Sequence, residues 1–68
     1  MEMEELYGQV SLQGRSLEEQ EQIELILQEA SGWGLKWEVE LFAKKFIFEG
    51  DTEDPVVATM WAFQDWIK

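Results

Sequence analysis

Carboxylates are the side chains in this sequence with the most evident capacity for chemistry. The 68 residues include 15 Asp and Glu, 5 Lys and Arg, no histidine and no cysteine, so the formal charge at pH 7 is −10. Paired carboxylates can act as acid and base, but only in a cleft that holds them apart and raises one pKa. A chain this short has little room for such a cleft, so we expect no catalytic residue and no enzyme activity.

The missing residue types exclude further chemistry. Without histidine and cysteine the chain lacks the usual zinc ligands, a thiol nucleophile, an imidazole base and a disulfide framework. The glycines Gly32 and Gly34 belong to no nucleotide-binding fingerprint. We therefore expect no cofactor.

One acidic cluster has the oxygen ligands that a hard cation prefers. Its members are Glu49, Asp51, Glu53 and Asp54, but their spacing does not match the calcium-loop pattern Asp-x-Asp-x-Asp-Gly. Asp54 directly precedes Pro55, and this order is typical of a helix N-terminus. We assign the cluster to helix capping and solubility, and expect no metal site.

The excess of acidic residues also excludes classes of partner. Nucleic acids and anionic membranes are bound mainly through Lys and Arg, so we expect direct binding to neither. The N-terminus is acidic where a signal peptide would be basic, and no apolar run reaches membrane-spanning length. The expected location is cytoplasmic, and the expected partner is another protein with a basic surface.

The clearest predicted element is a helix over residues 17–31 that stops at Gly32. Ser16 and Glu19 have the Ser-x-x-Glu spacing of a capping box, in which each side chain satisfies a free backbone N–H. A spacing of about 100° per residue places four apolar residues on one inner stripe. They are Ile23, Ile26, Leu27 and Ala30.

The opposite side of this helix is a candidate binding surface. Leu25 lies there among Glu18, Glu21 and Glu29. An exposed leucine ringed by carboxylates would suit a basic, partly apolar partner. The alternative is a solvated helix face with one incidental leucine, since single exposed apolar residues are common.

Four tryptophans are the other candidates for partner contact, because Trp is enriched where interfaces bury most of their binding energy. Trp33 is predicted in a loop, and Trp61 lies off the inner stripe of a last helix over residues 55–68. We assign both to partner contact, and we assign Trp37 and Trp66 to the fold. The predicted inner stripe of the last helix consists of Val56, Met60, Phe63 and Ile67.

The remaining segments predict short strands. Apolar residues alternate with polar ones over 6–12 and 35–41, and residues 46–48 read as a third strand. A single helix over 35–48 is the competing interpretation. It is supported by a helical stripe of Leu35, Val39, Phe42 and Phe46, but the β-branched and aromatic content favours strands.

These elements predict an α+β fold of one domain, residues 1–68, with 1–5 as a flexible N-terminus. The βαββα order is that of the ferredoxin-like split βαβ without its fourth strand, with two helices packed on one face of a short sheet. This expectation carries no functional inference. If residues 35–48 were helical, the chain would instead form three helices with an N-terminal strand.

Three roles are compatible with the sequence. The leading one is a small non-enzymatic protein-interaction module or regulator that uses the acidic helix face and exposed Trp residues. A second is an inhibitor of phage or mobile-element type that mimics nucleic acid with rows of carboxylates. A third is a structural homodimer formed through an open sheet edge or the Trp-bearing flank of the last helix.

Overall fold

The computed structural model describes the backbone of residues 10–67 and the side chains of residues 10–66. It contains three α-helices, α1 (Leu17–Gly32), α2 (Lys36–Phe48) and α3 (Pro55–Ile67). Each helix packs against both of the others, most extensively α2 against α3. Residues 10–67 contain no strand. The predicted α+β, ferredoxin-like fold is therefore wrong, and the described chain is a helical bundle.

The first predicted strand, residues 6–12, lies mostly outside the described residues. Its last three residues, Val10, Ser11 and Leu12, are described and form no strand. Leu12 packs against the core of the bundle. The flexible N-terminus predicted for residues 1–5 also lies outside the described residues.

Residues 35–48 account for the main error, because 36–48 form α2 instead of two strands. The buried residues of α2, Val39 and Ala43, lie four residues apart, as one face of a helix requires. Trp37 is 73% exposed. The alternation over 35–41 thus arises from apolar side chains on two opposite faces of a helix. Residues 35–48 also contain no Gly, Pro, Asn or Asp, so no good turn former separates the two predicted strands.

A glycine in the left-handed region ends both α1 and α2. Gly34 has φ 74° and Gly50 has φ 82°, a conformation that favours glycine. Each end has the two reverse hydrogen bonds of a Schellman motif. From N–H to carbonyl these are Gly34 to Ser31 (2.9 Å), Leu35 to Ala30 (2.9 Å), Gly50 to Ile47 (3.1 Å) and Asp51 to Phe46 (2.9 Å). The helix predicted over 17–31 thus extends one residue further, to Gly32, and the glycine in the left-handed region is Gly34 instead of Gly32. Gly50 follows a helix instead of a strand.

The predicted helix starts are confirmed. The Ser16 Oγ accepts the N–H of Glu19 at 3.2 Å and caps α1. At α3, Asp54 Oδ1 accepts the N–H of Val56 at 2.9 Å, and Pro55 is the first helical residue. These caps satisfy N–H groups that have no partner inside the helix.

Small side chains form the centre of the core, and larger apolar residues pack around it. The central cluster consists of Ala30, Val39, Ala43, Ala58 and Ala62. Around it pack Leu12, Leu27, Leu35, Phe42, Phe46, Ile47 and Phe63. Because the central residues are mostly alanines, the three helices can approach one another closely.

The two predicted inner stripes have different outcomes. On α1, Ile23 and Ala30 are buried and Ile26 and Leu27 are half-buried, so that stripe is confirmed. On α3, Val56 is buried and Phe63 half-buried, but Met60 is 43% exposed. The Ile67 side chain lies outside the described residues. The buried residues of α3 include Ala58, Thr59 and Ala62. The inner face of α3 therefore consists of smaller residues than the hydrophobic pattern predicts.

Candidate functional site

The outer side of α1 brings five of the six predicted partner-binding residues onto one surface. We call this surface the acidic face. Its residues are Glu18, Glu21, Leu25, Glu29 and Trp33, and all five are exposed. Glu21, Leu25, Glu29 and Trp33 follow one another at intervals of four residues, which places them along one side of a helix. Trp33 belongs to this row because it is the C-cap of α1 and has αR geometry.

Two large apolar side chains project from the acidic face. Leu25 is 63% exposed and Trp33 is 66% exposed. The burial of Ile23 and Ala30 toward the core turns this side of the helix outward. The packing of α1 therefore positions Leu25 and Trp33 in solvent.

The carboxylates of the acidic face have no cationic partner in the described part of the chain. No ion pair within residues 10–67 involves Glu18, Glu21 or Glu29. Glu29 also lies in the last turn of α1, which has no basic residue. A negative charge there is unfavourable, because the carbonyl end of a helix carries partial negative charge. The acidic face is therefore a source of negative potential that the bundle itself does not neutralise.

Glu19, by contrast, joins the start of α1 to the segment before it. Its Oε1 accepts the backbone N–H of Arg15 at 2.9 Å and lies 3.2 Å from the Arg15 Nε. These bonds, the backbone one first, hold the pKa of Glu19 below its ordinary value. A capping box would direct this carboxylate to the N–H of Ser16, so the observed bond is one residue earlier than expected.

Arg15 extends this link to the segment before α3. Its Nη2 lies 3.2 Å from Asp54 Oδ2, while Asp54 Oδ1 caps α3. Asp54 thus caps a helix, as predicted for the acidic cluster before α3, and it also forms an ion pair that was not predicted. Within residues 10–67, no group of three or more acidic side chains is arranged to hold a metal ion.

The sixth predicted site residue, Trp61, lies on a different surface. Its ring packs edge-on against Phe46 of α2, with centroids 5.9 Å apart. Trp66 packs in the same way against Phe42 at 5.3 Å, in agreement with its assignment to the fold, although it is still 40% exposed. The prediction that Trp37 belongs to the fold is wrong, because its side chain is 73% exposed. The helical interpretation of residues 35–48 was the signal that could have placed Trp37 outside.

A shallow groove of about 260 Å³ lies at the junction of α1 and α2. It is lined by Glu24, Leu27, Gln28, Ser31 and Lys36. Its lining offers one carboxylate and one ammonium group, so it does not bring two carboxylates together.

Among residues 10–67, none of the helices has both the length and the apolar character needed to cross a bilayer. No protein-family model matches the chain, and no curated protein or solved structure matches it either.

Proposed function

We propose that this chain is a non-enzymatic protein-interaction module whose acidic face binds a partner protein. The observation that carries the proposal is the row on α1 in which Leu25 and Trp33 alternate with Glu21 and Glu29. The partner that fits this row is a protein with an apolar groove bordered by Lys or Arg. The cytoplasmic location expected from the sequence stays part of the proposal.

The two kinds of side chain have different roles in this binding. Leu25 and Trp33 are eight residues apart, close to the two-turn spacing of anchors on a helix that lies in a groove, and anchors of this kind supply most of the affinity. The carboxylates attract a basic partner from a distance and set the orientation in which it docks. Because they are exposed, their attraction should weaken as salt screens it.

The acidic face fits an apolar groove of a protein better than it fits the nucleic-acid-binding site that a mimic would occupy. Leu25 interrupts the carboxylates, and Glu21 and Glu29 are about 12 Å apart along the axis at about 1.5 Å per residue. One strand of DNA carries a charge about every 3.4 Å. Between Glu21 and Glu29 the charges are sparser than those of a phosphate strand, and Leu25 and Trp33 need an apolar contact, which favours a protein groove over the phosphate mimic.

The test is affinity capture from the native host lysate at low salt, with identification of the captured proteins. Three baits are compared: the wild type, an acidic-face variant and a control variant with the same change in charge. The acidic-face variant is Glu18→Gln, Glu21→Gln and Glu29→Gln. The control is Glu49→Gln, Asp51→Asn and Glu53→Gln, three exposed acids between α2 and α3.

We expect one protein to be captured by the wild type and the control, and about tenfold less of it by the acidic-face variant. Leu25→Ala should reduce capture even in moderate salt, because its contribution is apolar. Equal capture by all three baits would contradict the proposal. Capture of a nucleic-acid-binding enzyme through the acidic face would favour the mimic instead.

A further inference from the structure

Four exposed aromatic rings of α2 and α3 lie on the two sides of Glu38 and Lys45. We call the surface that they border the aromatic face. Its rings are Trp37 (73% exposed), Phe48 (51%), Trp61 (42%) and Trp66 (40%). Two charged residues of α2, Glu38 and Lys45, lie on the same side of that helix. Exposed patches of this kind commonly mark sites of protein contact.

The ring contacts show how the aromatic face is laid out. Trp66 packs on Phe42, and Trp61 packs on Phe46. The order is reversed between the two helices, so α2 and α3 are antiparallel and the two tryptophans flank the middle and later part of α2. Trp37 and Phe48 lie near the two ends of α2, about 16 Å apart at about 1.5 Å per residue. The aromatic side chains therefore follow the whole length of this helix.

The aromatic face is also where the charge of the molecule is most balanced. The α1 helix has five glutamates and no basic residue, whereas α2 has three lysines and two glutamates. On the aromatic face, Lys45 offsets Glu38, and the Asp65 of α3 is the remaining acid. Two copies that each carry a charge of −10 repel one another least where these surfaces meet.

The two charges in the middle of this face are arranged so that the surface complements itself. Glu38 lies in the first turn of α2 and Lys45 in its last turn. They are seven residues apart, or two turns, so they lie on the same side of the helix. If a second copy lies antiparallel across α2, each Glu38 meets a Lys45 of the other copy. The helix dipoles are then antiparallel as well, which is favourable.

We infer that the aromatic face is the interface of a two-fold homodimer in which α2 packs antiparallel against α2 of a second copy. Such a contact is isologous, because the same patch serves both copies. It uses a surface other than the acidic face, so it does not depend on the proposed function. We expect a weak dimer, with a dissociation constant on the order of 10 to 100 µM.

The first test is sedimentation equilibrium of the intact chain from about 10 to about 500 µM. The wild type should pass from monomer to dimer over this range. Trp37→Ala should weaken dimerisation about tenfold or more, because it removes the most exposed aromatic ring of the interface. Trp33→Ala is the matched control, since it removes a similarly exposed ring from the acidic face and should leave the dimer unchanged. Far-UV circular dichroism verifies that both variants are folded.

A second test examines the two-fold geometry itself. Glu38→Lys alone and Lys45→Glu alone each place like charges opposite one another, and each should weaken dimerisation about tenfold. An equal mixture of the two variants should dimerise again, because every facing pair then has opposite signs. In a parallel two-fold arrangement Glu38 would already face Glu38, and Lys45 would face Lys45, so the single variants would not weaken dimerisation in this way.

Three results would overturn the inference. One is a wild type that stays monomeric up to about 500 µM, which would leave the aromatic face for a different protein. Another is a dimer that Trp37→Ala does not affect. The third is a mixture of the two charge variants that associates no better than either variant alone.

Discussion

Gly14 shows how a single residue controls the start of α1. Its N–H donates to the Gln20 side-chain oxygen at 2.8 Å, which holds the preceding segment against the helix. A Cβ at this position would overlap the backbone nitrogen of Gln20 and lie 2.7 Å from the Glu19 carbonyl carbon. Backbone atoms in a helix cannot move aside as a flexible side chain can. The position therefore requires glycine for lack of space.

Replacing Gly14 with alanine should destabilise the protein by about 1 to 3 kcal/mol, the usual cost of overpacking. The measurement is the free energy of unfolding in urea. Gly32→Ala is the control, because a Cβ there meets nothing within 4 Å. Since Gly32 lies in the last turn of α1, we expect that variant to be unchanged or more stable by up to about 1 kcal/mol. Equal effects of the two substitutions would contradict this account of Gly14.

At the scale of elements, the packing of the helices depends on buried alanines. Ala58 and Ala62 of α3 are fully buried in the cluster that contains Ala43 of α2. A small side chain at each position lets the helix backbones come close. The large apolar residues then fill the margins instead of the centre, which is why several aromatic rings remain partly exposed.

Ala58→Leu should therefore destabilise the bundle by about 1 to 3 kcal/mol or more, because the extra atoms force the helices apart. Gln64→Leu tests the same added leucine at an exposed position of the same helix. It should change the free energy of unfolding by less than about 0.5 kcal/mol. Urea denaturation measures both variants. A tolerated leucine at position 58 would mean that the core is loosely packed.

The elements also show where reading the sequence succeeds and where it does not. The start of α1 was predictable because Ser16 has a local signature and the inner stripe fits a helical period. The α2 helix was not, because Trp37 and Leu41 give its outer side the apolar character of an inner one. The segment then fits both the strand period of two residues and the helical period of about 3.6, and only the observed burial shows which of the two is real. Trp37 was misassigned for the same reason.

At the scale of the whole molecule, the net charge opposes folding. The chain carries a net charge of −10 on 68 residues. Because folding makes the chain compact, it brings these like charges closer together. The described residues include an Arg15 pair with Glu19, an Arg15 pair with Asp54 and a Lys44 pair with Glu40. These leave most acidic side chains without a partner cation in the described part of the chain.

We expect thermal stability to rise as sodium chloride increases from about 0.01 to about 0.5 M, because salt screens the repulsion between exposed charges. The melting temperature, followed by circular dichroism, measures this. The variant with Gln at positions 18, 21 and 29 has a formal charge of −7, since three of ten net charges are removed. It should melt at a higher temperature in low salt and respond less to added salt. A melting temperature that falls with salt would contradict the repulsion argument.

The sequence by itself determined the features of this protein that depend on near neighbours in the chain. These are the capped start of α1, its inner stripe, the acidic row that includes Glu21 and Glu29, and the proline start of α3. Tertiary structure alone decided which apolar side chains are buried, because that depends on which helix faces meet. Packing around small alanines selected a helix for residues 36–48, placed Trp61 on Phe46, and left Trp37 in solvent.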